Sequence, residues 1–372
     1  MIWVYTASFL LLSLFSFTQI DLNLTLYNSN LLLPILNFLK NIGYRQRTLS
    51  AVIFIILATS LYFNYLKLVY KQKTSKKHLK IVLLVTFLAG ILAYPMFSHD
   101  IFNYLFNAKM VIIYHSNPHT HTAVEFATDA WTRFMHNTHT PAPYGYAWTG
   151  ISLLPVYLGL PSFTLSLWFT KTLISTFFLL EIFFFTKIAK IVHKKDSLNR
   201  VIALGLNPLI LMETFIIGHN DSIMMFFIFL SFYLLETNKT TKNKFISLLS
   251  FIASVFIKYA TVVLAPVLLL KNKIKDIYAT SGSILLVILL SRPGQLNSWY
   301  LHWGIAFLLL SKSKKLVKLG ILLSIGGMLR YLPYIYFGHW DFPVTIIRWV
   351  LLLAPLIFLI PIKTIYEKIT SK

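Results

Sequence analysis

Two short stretches hold most of the side chains that could do chemistry. Residues 98–148 begin SHDIFNYLFNAKM and end THTPAPYGYAW. They carry Asp100, Glu125 and Asp129, three of the chain's 12 acidic residues. They also carry His99, His115, His119, His121, His136 and His139, six of its 11 histidines. Asp100 stands where a long apolar run ends. A carboxylate there is placed to act as a general base toward a bound hydroxyl, a role worth roughly 10²–10⁴ in rate. Ser98 or Asp100 also reads as the cap of a helix reaching about Tyr114. On that helix Asp100, Asn103, Asn107 and Tyr114 share one face, and Ile101, Leu105 and Ile112 the other. This is the pattern of an amphipathic helix lying at a membrane surface. The H-x-H at 119–121, with Glu125 and Asp129, matches no standard zinc spacing, and there is no D-x-D to hold a metal–diphosphate. No metal and no cofactor are expected. Tyr144, Tyr146 and Trp148 follow a rigid turn at Pro141, Pro143 and Gly145. They suit an interfacial aromatic belt or a sugar-stacking surface, and their spacing does not separate the two.

The second stretch is NPLILMETFIIGHND at 207–221. Glu213 falls inside an apolar run, where a charge at mid-membrane costs roughly 2.5–3.5 kcal/mol on insertion scales. Gly218 suits the end of one helix, and Asn220 or Asp221 the start of the next. A capped hairpin accounts for the glycine and one polar residue but leaves Glu213 and His219 to be explained by function. Four cations complete the set. Arg292 and Arg330 end apolar runs and read as snorkelling side chains, Lys109 lies on the first helix, and Lys258 sits between two apolar runs of about a dozen residues. A phosphate leaving group needs such a cation.

The elements that position these groups read as membrane helices. Of 372 residues, 57% are hydrophobic and 12% charged, where soluble domains carry about 25% charged residues. The net charge of +22 lies in short clusters at 71–80, 187–195, 239–244, 271–275 and 312–318. That is the positive-inside pattern of a polytopic membrane protein and excludes a nucleic-acid-binding face. The absence of cysteine excludes disulfides and thiol metal sites. Residues 2–20 read as a retained first span, and 31–39 as a short interfacial or re-entrant helix. Further spans are expected at 51–70, 81–97, 165–185, 201–217, 222–235, 245–257, 259–270, 277–290, 299–310, 316–329 and 344–360. The expected fold is therefore all-α, a single membrane domain over 1–372 with about 12 spans. An external loop at 98–162, carrying interfacial helices, lies between spans. The basic clusters put the C-terminus inside and Asp100 outside. Lys40, Arg45 and Arg47 then fall on the outer side, against the rule, and the denser 71–80 cluster is expected to prevail. No internal repeat is visible, which argues against an inverted-repeat transporter.

Taken together, HDIFNYLFNAKM, YHSNPH, MHNTHTPAPYGYAW, NPLILMETFIIGHND and FIKYATVVLAPVLLL resemble the integral-membrane glycosyltransferases of the GT-C superfamily. The nearest resemblance is to the polyprenol-phosphate-mannose-dependent mannosyltransferases of bacteria and archaea. It spans roughly residues 80–270. Asp100 and Tyr104 match the D-x-x-x-Y element, Asn117-Pro118 the N-P-Y element, and Tyr144, Gly145 and Trp148 the Y-G-P-x-W element. His119 and Tyr146 depart from it. Asn207-Pro208, Glu213 and Gly218–Asp221 keep the later element intact.

The resemblance implies a polyprenyl-phosphate sugar donor, an extracytoplasmic site in a multi-pass cell-membrane protein, inversion, and Asp100 as base. A hexose, with mannose the expected one, would pass to a glycan, glycolipid or protein hydroxyl. Lys258, Arg292 or Arg330 would hold the departing phosphate. Glu213, His219, Asn220 and Asp221 would orient the sugar or its phosphate, and Tyr104, Lys109, Tyr144 and Trp148 would complete the substrate site. The rival readings are a transporter or flippase of lipid-linked sugars, a diphosphate-using ligase, for which the 330–343 loop is short, and a structural subunit.

Overall fold

Apolar runs of this length fold as helices because lipid offers no partner for an open backbone group. The computed structural model describes residues 1–21, 30–71, 74–237 and 240–360. Among them there are helices and turns but no strand. Four helices are long and apolar enough to cross a membrane: Ile2–Gln19, Arg47–Lys71, Phe163–Val192 and Lys314–Phe337. The pair Ser197–Gly205 and Pro208–Ile217, bent by 45°, makes five if it counts as one span. Hydropathy alone suggested about twelve. The difference lies in interruptions that composition does not register. The run 245–270 is cut at Lys258, whose backbone is extended, and continues as the 3₁₀ turn Tyr259–Leu264 and the short helix Ala265–Leu269. The helices Ile277–Leu290 and Leu301–Leu310 have only 14 and 10 residues. The basic tail expected at the C-terminus lies outside the described residues.

The chain alternates between two ends of the bundle, and each end is stitched by polar contacts. At one end, His193 meets the Leu310 carbonyl, Arg200 donates to the Leu309 and Ser311 carbonyls, and Asp276 accepts from Ser311 and the Lys312 backbone. The basic clusters gather near these contacts. Segments 93–162, 218–221, 291–300 and 330–343 meet at the other end.

The first segment differs from its expected form. The helix Asp100–Tyr114 is not an amphipathic surface helix. Ile101 through Phe106, Ala108 and Met110 are all buried, Asn103 included. It packs beneath the helices Tyr146–Gly159 and Phe163–Val192, and only its last turns reach the surface. The heptad-like polar spacing read correctly as helix and wrongly as a water-facing stripe. Of the polar side chains, Asn103 is buried, and Asp100 and Asn107 are half-buried.

One close approach fixes how this segment meets the later half of the chain. Gly145 N–H donates to the Ile257 carbonyl at 3.0 Å. A Cβ on Gly145 would collide with the Phe256 backbone carbonyl. Glycine is needed here for proximity, since its φ of −76° is open to any residue. The contact sets Tyr144 beside Lys258. We expect Gly145→Ala to separate the two segments and to lower stability by about 1–3 kcal/mol, read as an earlier thermal unfolding of the purified protein in detergent. An unchanged unfolding temperature would show that the approach is not tight.

Candidate active site

Interruptions in helices deliver most of the polar groups at this end of the bundle. Asp100 is the first residue of its helix, with His99 at the cap position and no side-chain cap. The capping role suggested for Asp100 is therefore not the one it takes. Its backbone N–H donates to Ser98 Oγ at 3.3 Å, and its carboxylate borders a cavity of about 440 Å³. Tyr144, Lys258, Trp299, Tyr300 and Trp303 share that lining. Glu213 and His219 come from a broken helix. The Asn207 side chain accepts from Ile210 N–H and Pro208 takes the first helical position. The wide turn Met212–Ile217 follows, a π-type irregularity of the sort found at functional sites. Gly218 ends it at φ 88°, where an added Cβ would also lie 2.6 Å from Ile101 Cδ1.

A hydrogen-bonded chain then runs from the interior to Asp100. The Tyr331 hydroxyl donates to Glu213 Oε1 at 2.7 Å, and His219 Nδ1 meets Glu213 Oε2 at 3.0 Å. His219 Nε2 meets the Ser98 hydroxyl at 3.1 Å. Nε2 lies 3.8 Å from Asp100 Oδ2, too far for a hydrogen bond. Asp221 is closed off differently. Lys258 Nζ donates to both of its carboxylate oxygens at 2.8 Å, and Trp303 Nε1 donates to Oδ1.

Asp100 is the carboxylate that faces the cavity, with the Tyr144 hydroxyl beside it. Its side chain is 20% exposed. Burial pushes its carboxyl up to about 6, with the Lys258 ammonium pulling the other way. It is thus largely ionised at neutral pH yet basic enough to take a proton.

A second cavity, of about 190 Å³, opens beside the first and shares Asn297 and Trp299 with it. Phe97, Arg330, Tyr331, Trp340 and Arg348 line the rest. Arg330 is 2% exposed and donates through Nη2 to the Leu296 carbonyl at 2.8 Å. Its Nη1, and the Nε of Arg348, are buried without a hydrogen-bond partner. Among the described residues neither guanidinium has a carboxylate within ion-pair distance. Two neighbouring guanidiniums, Arg330 buried and Arg348 half-buried, with unmet donors form a site for an anion.

The N-terminal domain model of the alpha-(1->6)-mannopyranosyltransferase family, MptA/B, matches residues 6–272. The chain belongs to this family. It is accordingly a glycosyltransferase, a mannosyltransferase by descent. No curated protein and no solved structure gives a significant match. Of the site residues of this mannosyltransferase, Asp100, Glu213, His219, Asp221 and Lys258 fall within the matched segment, whereas Trp299, Arg330, Tyr331 and Arg348 lie beyond it.

The residues singled out from the sequence divide into three groups. Asp100, Tyr144 and Lys258 border the larger cavity, and Arg330 borders the smaller. Glu213, His219, Asn220 and Asp221 stand behind them and are buried. Tyr104 and Trp148 are supports: Tyr104 donates to Asn220 Oδ1 at 3.3 Å, and Trp148 packs edge-on against Tyr104 at 4.9 Å without reaching either cavity. Two expectations are corrected. Lys109 is held by Asp129 and the Trp131 ring, away from both cavities. Arg292 is exposed in a turn and lines neither.

Sequence reading missed Trp299, Tyr331 and Arg348. Arg348 carried the one available signal, an arginine inside the apolar run VTIIRWVLLL.

Asp21, His99 and His136 place one donor atom each within 4.8 Å of one another. The two rings, however, are stacked at 3.7 Å and 21°. In-plane lone pairs on near-parallel rings do not converge on one ion, so this packing is not a metal centre. Burial and His136 hold His99 down at about 4.

The Lys258–Asp221 pair gives a direct test. Lys258→Met leaves a buried carboxylate unpaired, and we expect a loss of about 3–5 kcal/mol. The double variant Lys258→Met, Asp221→Asn should recover much of that loss in thermal unfolding. A double variant no more stable than the single one would contradict the pairing.

Proposed function

We propose that the protein transfers mannose from a polyprenyl monophosphate to an acceptor hydroxyl, with inversion at the anomeric carbon and Asp100 as general base. The observation that carries this reading is the combination at one end of the bundle of one carboxylate facing a cavity and, across Trp299, a pair of arginines with unmet donors. The acceptor enters the cavity bordered by Asp100 and Tyr144. Its oxygen attacks the anomeric carbon as Asp100 takes its proton. The bond from that carbon to the phosphate oxygen breaks, and the lipid phosphate departs with the electron pair. Arg330 and Arg348 hold the phosphate and stabilise the charge that grows on it. Lys258, committed to Asp221, acts on the site through its field. No metal takes part in this scheme.

Orientation follows from charge. The basic clusters occupy the end opposite the site, so the positive-inside rule places Asp100 on the extracytoplasmic face of the cell membrane. The short and bent helices around the site complete the remaining crossings and leave a lateral path for the polyprenyl chain. A transporter or flippase needs charged groups strung along an open path. The interior ones here are bonded in place instead: Lys171 to the Ala93 carbonyl, and Glu181 to His302 at 2.9 Å. None of them borders either of the two cavities.

In membranes supplied with polyprenyl-phosphate mannose and an acceptor glycan, Asp100→Asn should lower the transfer rate by roughly 10²–10⁴. A well-expressed variant with wild-type transfer sinks the base assignment. The pH profile supplies a second test. The base works ionised and its carboxyl sits at about 6, so wild-type transfer should fall as pH drops through 6 and level off above it. A rate that rises on acidification would contradict this.

A further inference from the structure

Trp299 belongs to the 3₁₀ turn Ser298–Tyr300, which closes a loop after the helix Ile277–Leu290. It borders both cavities, the one with Asp100 and the one with the arginines. His219 stacks on its ring at 4.1 Å and 20°. His219 is itself held by Glu213 and Ser98, so the indole rests on a fixed support. The indole Nε1 is buried and has no hydrogen-bond partner. The Tyr300 hydroxyl is the polar group that acts on it, from outside good hydrogen-bond geometry. A buried N–H left unmet is costly, on the order of 1–3 kcal/mol, so something accepts from it when the site is in use.

The position narrows what that acceptor is. In the reaction proposed above, the sugar carbon lies between a phosphate on the arginines and an acceptor oxygen beside Asp100. The residues between those two places are Asn297 and Trp299, and Trp299 alone of the two offers an aromatic face. A hexose presents an apolar C–H face suited to an aromatic ring and hydroxyl oxygens suited to an indole N–H. We infer that Trp299 is the residue that reads the transferred hexose, its ring against the sugar and its Nε1–H donating to one sugar hydroxyl. This rests on the mannosyl-transfer reading and extends it to recognition of the sugar. It also places that recognition outside residues 6–272, the segment the family model matches.

The test uses the full chain in lipid nanodiscs and compares wild type with Trp299→Phe, which keeps a ring but removes the N–H. Binding of polyprenyl-phosphate mannose is measured against sugar-free polyprenyl phosphate, and transfer is measured with mannosyl and monodeoxymannosyl donors. In wild type the sugar should add affinity, and removal of one particular hydroxyl should lower kcat/KM. In Trp299→Phe, kcat/KM for the mannosyl donor should fall about ten- to hundredfold. The penalty for lacking that one hydroxyl should vanish, while binding of the sugar-free lipid stays unchanged. A folded variant that keeps the wild-type penalty at every hydroxyl overturns the inference, whether or not it is slower, because a merely structural wall would behave that way. If Trp299→Phe fails to unfold cooperatively, a benzothienylalanine at position 299, an isostere lacking the N–H, replaces it under the same criteria. A wild type that binds neither lipid overturns the donor reading, and with it the hexose assignment. One that gains affinity from the sugar equally with and without the indole N–H overturns the assignment to Trp299 alone.

Discussion

The buried pair between Lys258 and Asp221 is the constraint on which this end of the bundle depends. Taking two charges out of water costs several kcal/mol per ion, so the pair persists only where each charge is fully met. Here the carboxylate accepts from Lys258 at both oxygens and from the Trp303 indole. Three segments are thereby tied at one point: the start of the helix Asp221–Thr237, the break after the helix Thr241–Ile257, and the helix Leu301–Leu310. The break itself follows from the pair. Lys258 leaves the helical path with an extended backbone, and its side chain then reaches Asp221. Gly145 hydrogen-bonds to Ile257, next to the same break, so the external segment bearing Tyr144 docks onto a position that the ion pair has already fixed.

The pair also decides which groups are free to act. A lysine between short apolar runs reads from sequence as the natural holder of a phosphate, but this lysine is bound to a carboxylate. The cations with unmet donors are Arg330 and Arg348. The same reasoning sorts the acids. Glu213 and Asp221 accept strong hydrogen bonds on both oxygens. Asp100 shares their neighbourhood and keeps its carboxylate toward the cavity.

Much of this centre was legible in the chain because polar residues are costly in an apolar setting. Asp100, the 213–221 turn and Lys258 stood out on that ground, and they meet within a few ångströms although Asp100 lies more than a hundred residues before the other two. Failures occurred where local pattern was silent about packing. Asn103 and Asn107 mark a helical face, and only tertiary structure shows that face turned inward. Trp148 matched an aromatic belt and instead buttresses Tyr104. Lys109 found Asp129, which lay in view twenty residues on, but nothing in the spacing joined them. The helices long enough to span are fewer than the apolar runs for a related reason. Hydropathy measures the length of a run, while a capping asparagine at 207 or an extended lysine at 258 divides the run without lowering its hydrophobicity. Trp299 and Tyr331 gave no signal, since aromatic residues in apolar runs are ordinary.

Seen from Asp100, the arrangement resolves a conflict between two requirements. A base needs a proton affinity raised by burial, yet burial among other carboxylates would raise it until the group carried its proton permanently. The structure limits the effect in two ways. Lys258, paired with Asp221, pulls the Asp100 carboxyl down against the push from Asp221 itself. Glu213 is set behind His219, whose ring bonds to Glu213 and to Ser98 and stands 3.8 Å from the Asp100 carboxylate. The result is a carboxyl at about 6, ionised at neutral pH and still receptive. In the proposed reaction, Trp299 and Asn297 stand between the base and the arginines that serve the departing phosphate, and the two cavities keep those functions apart.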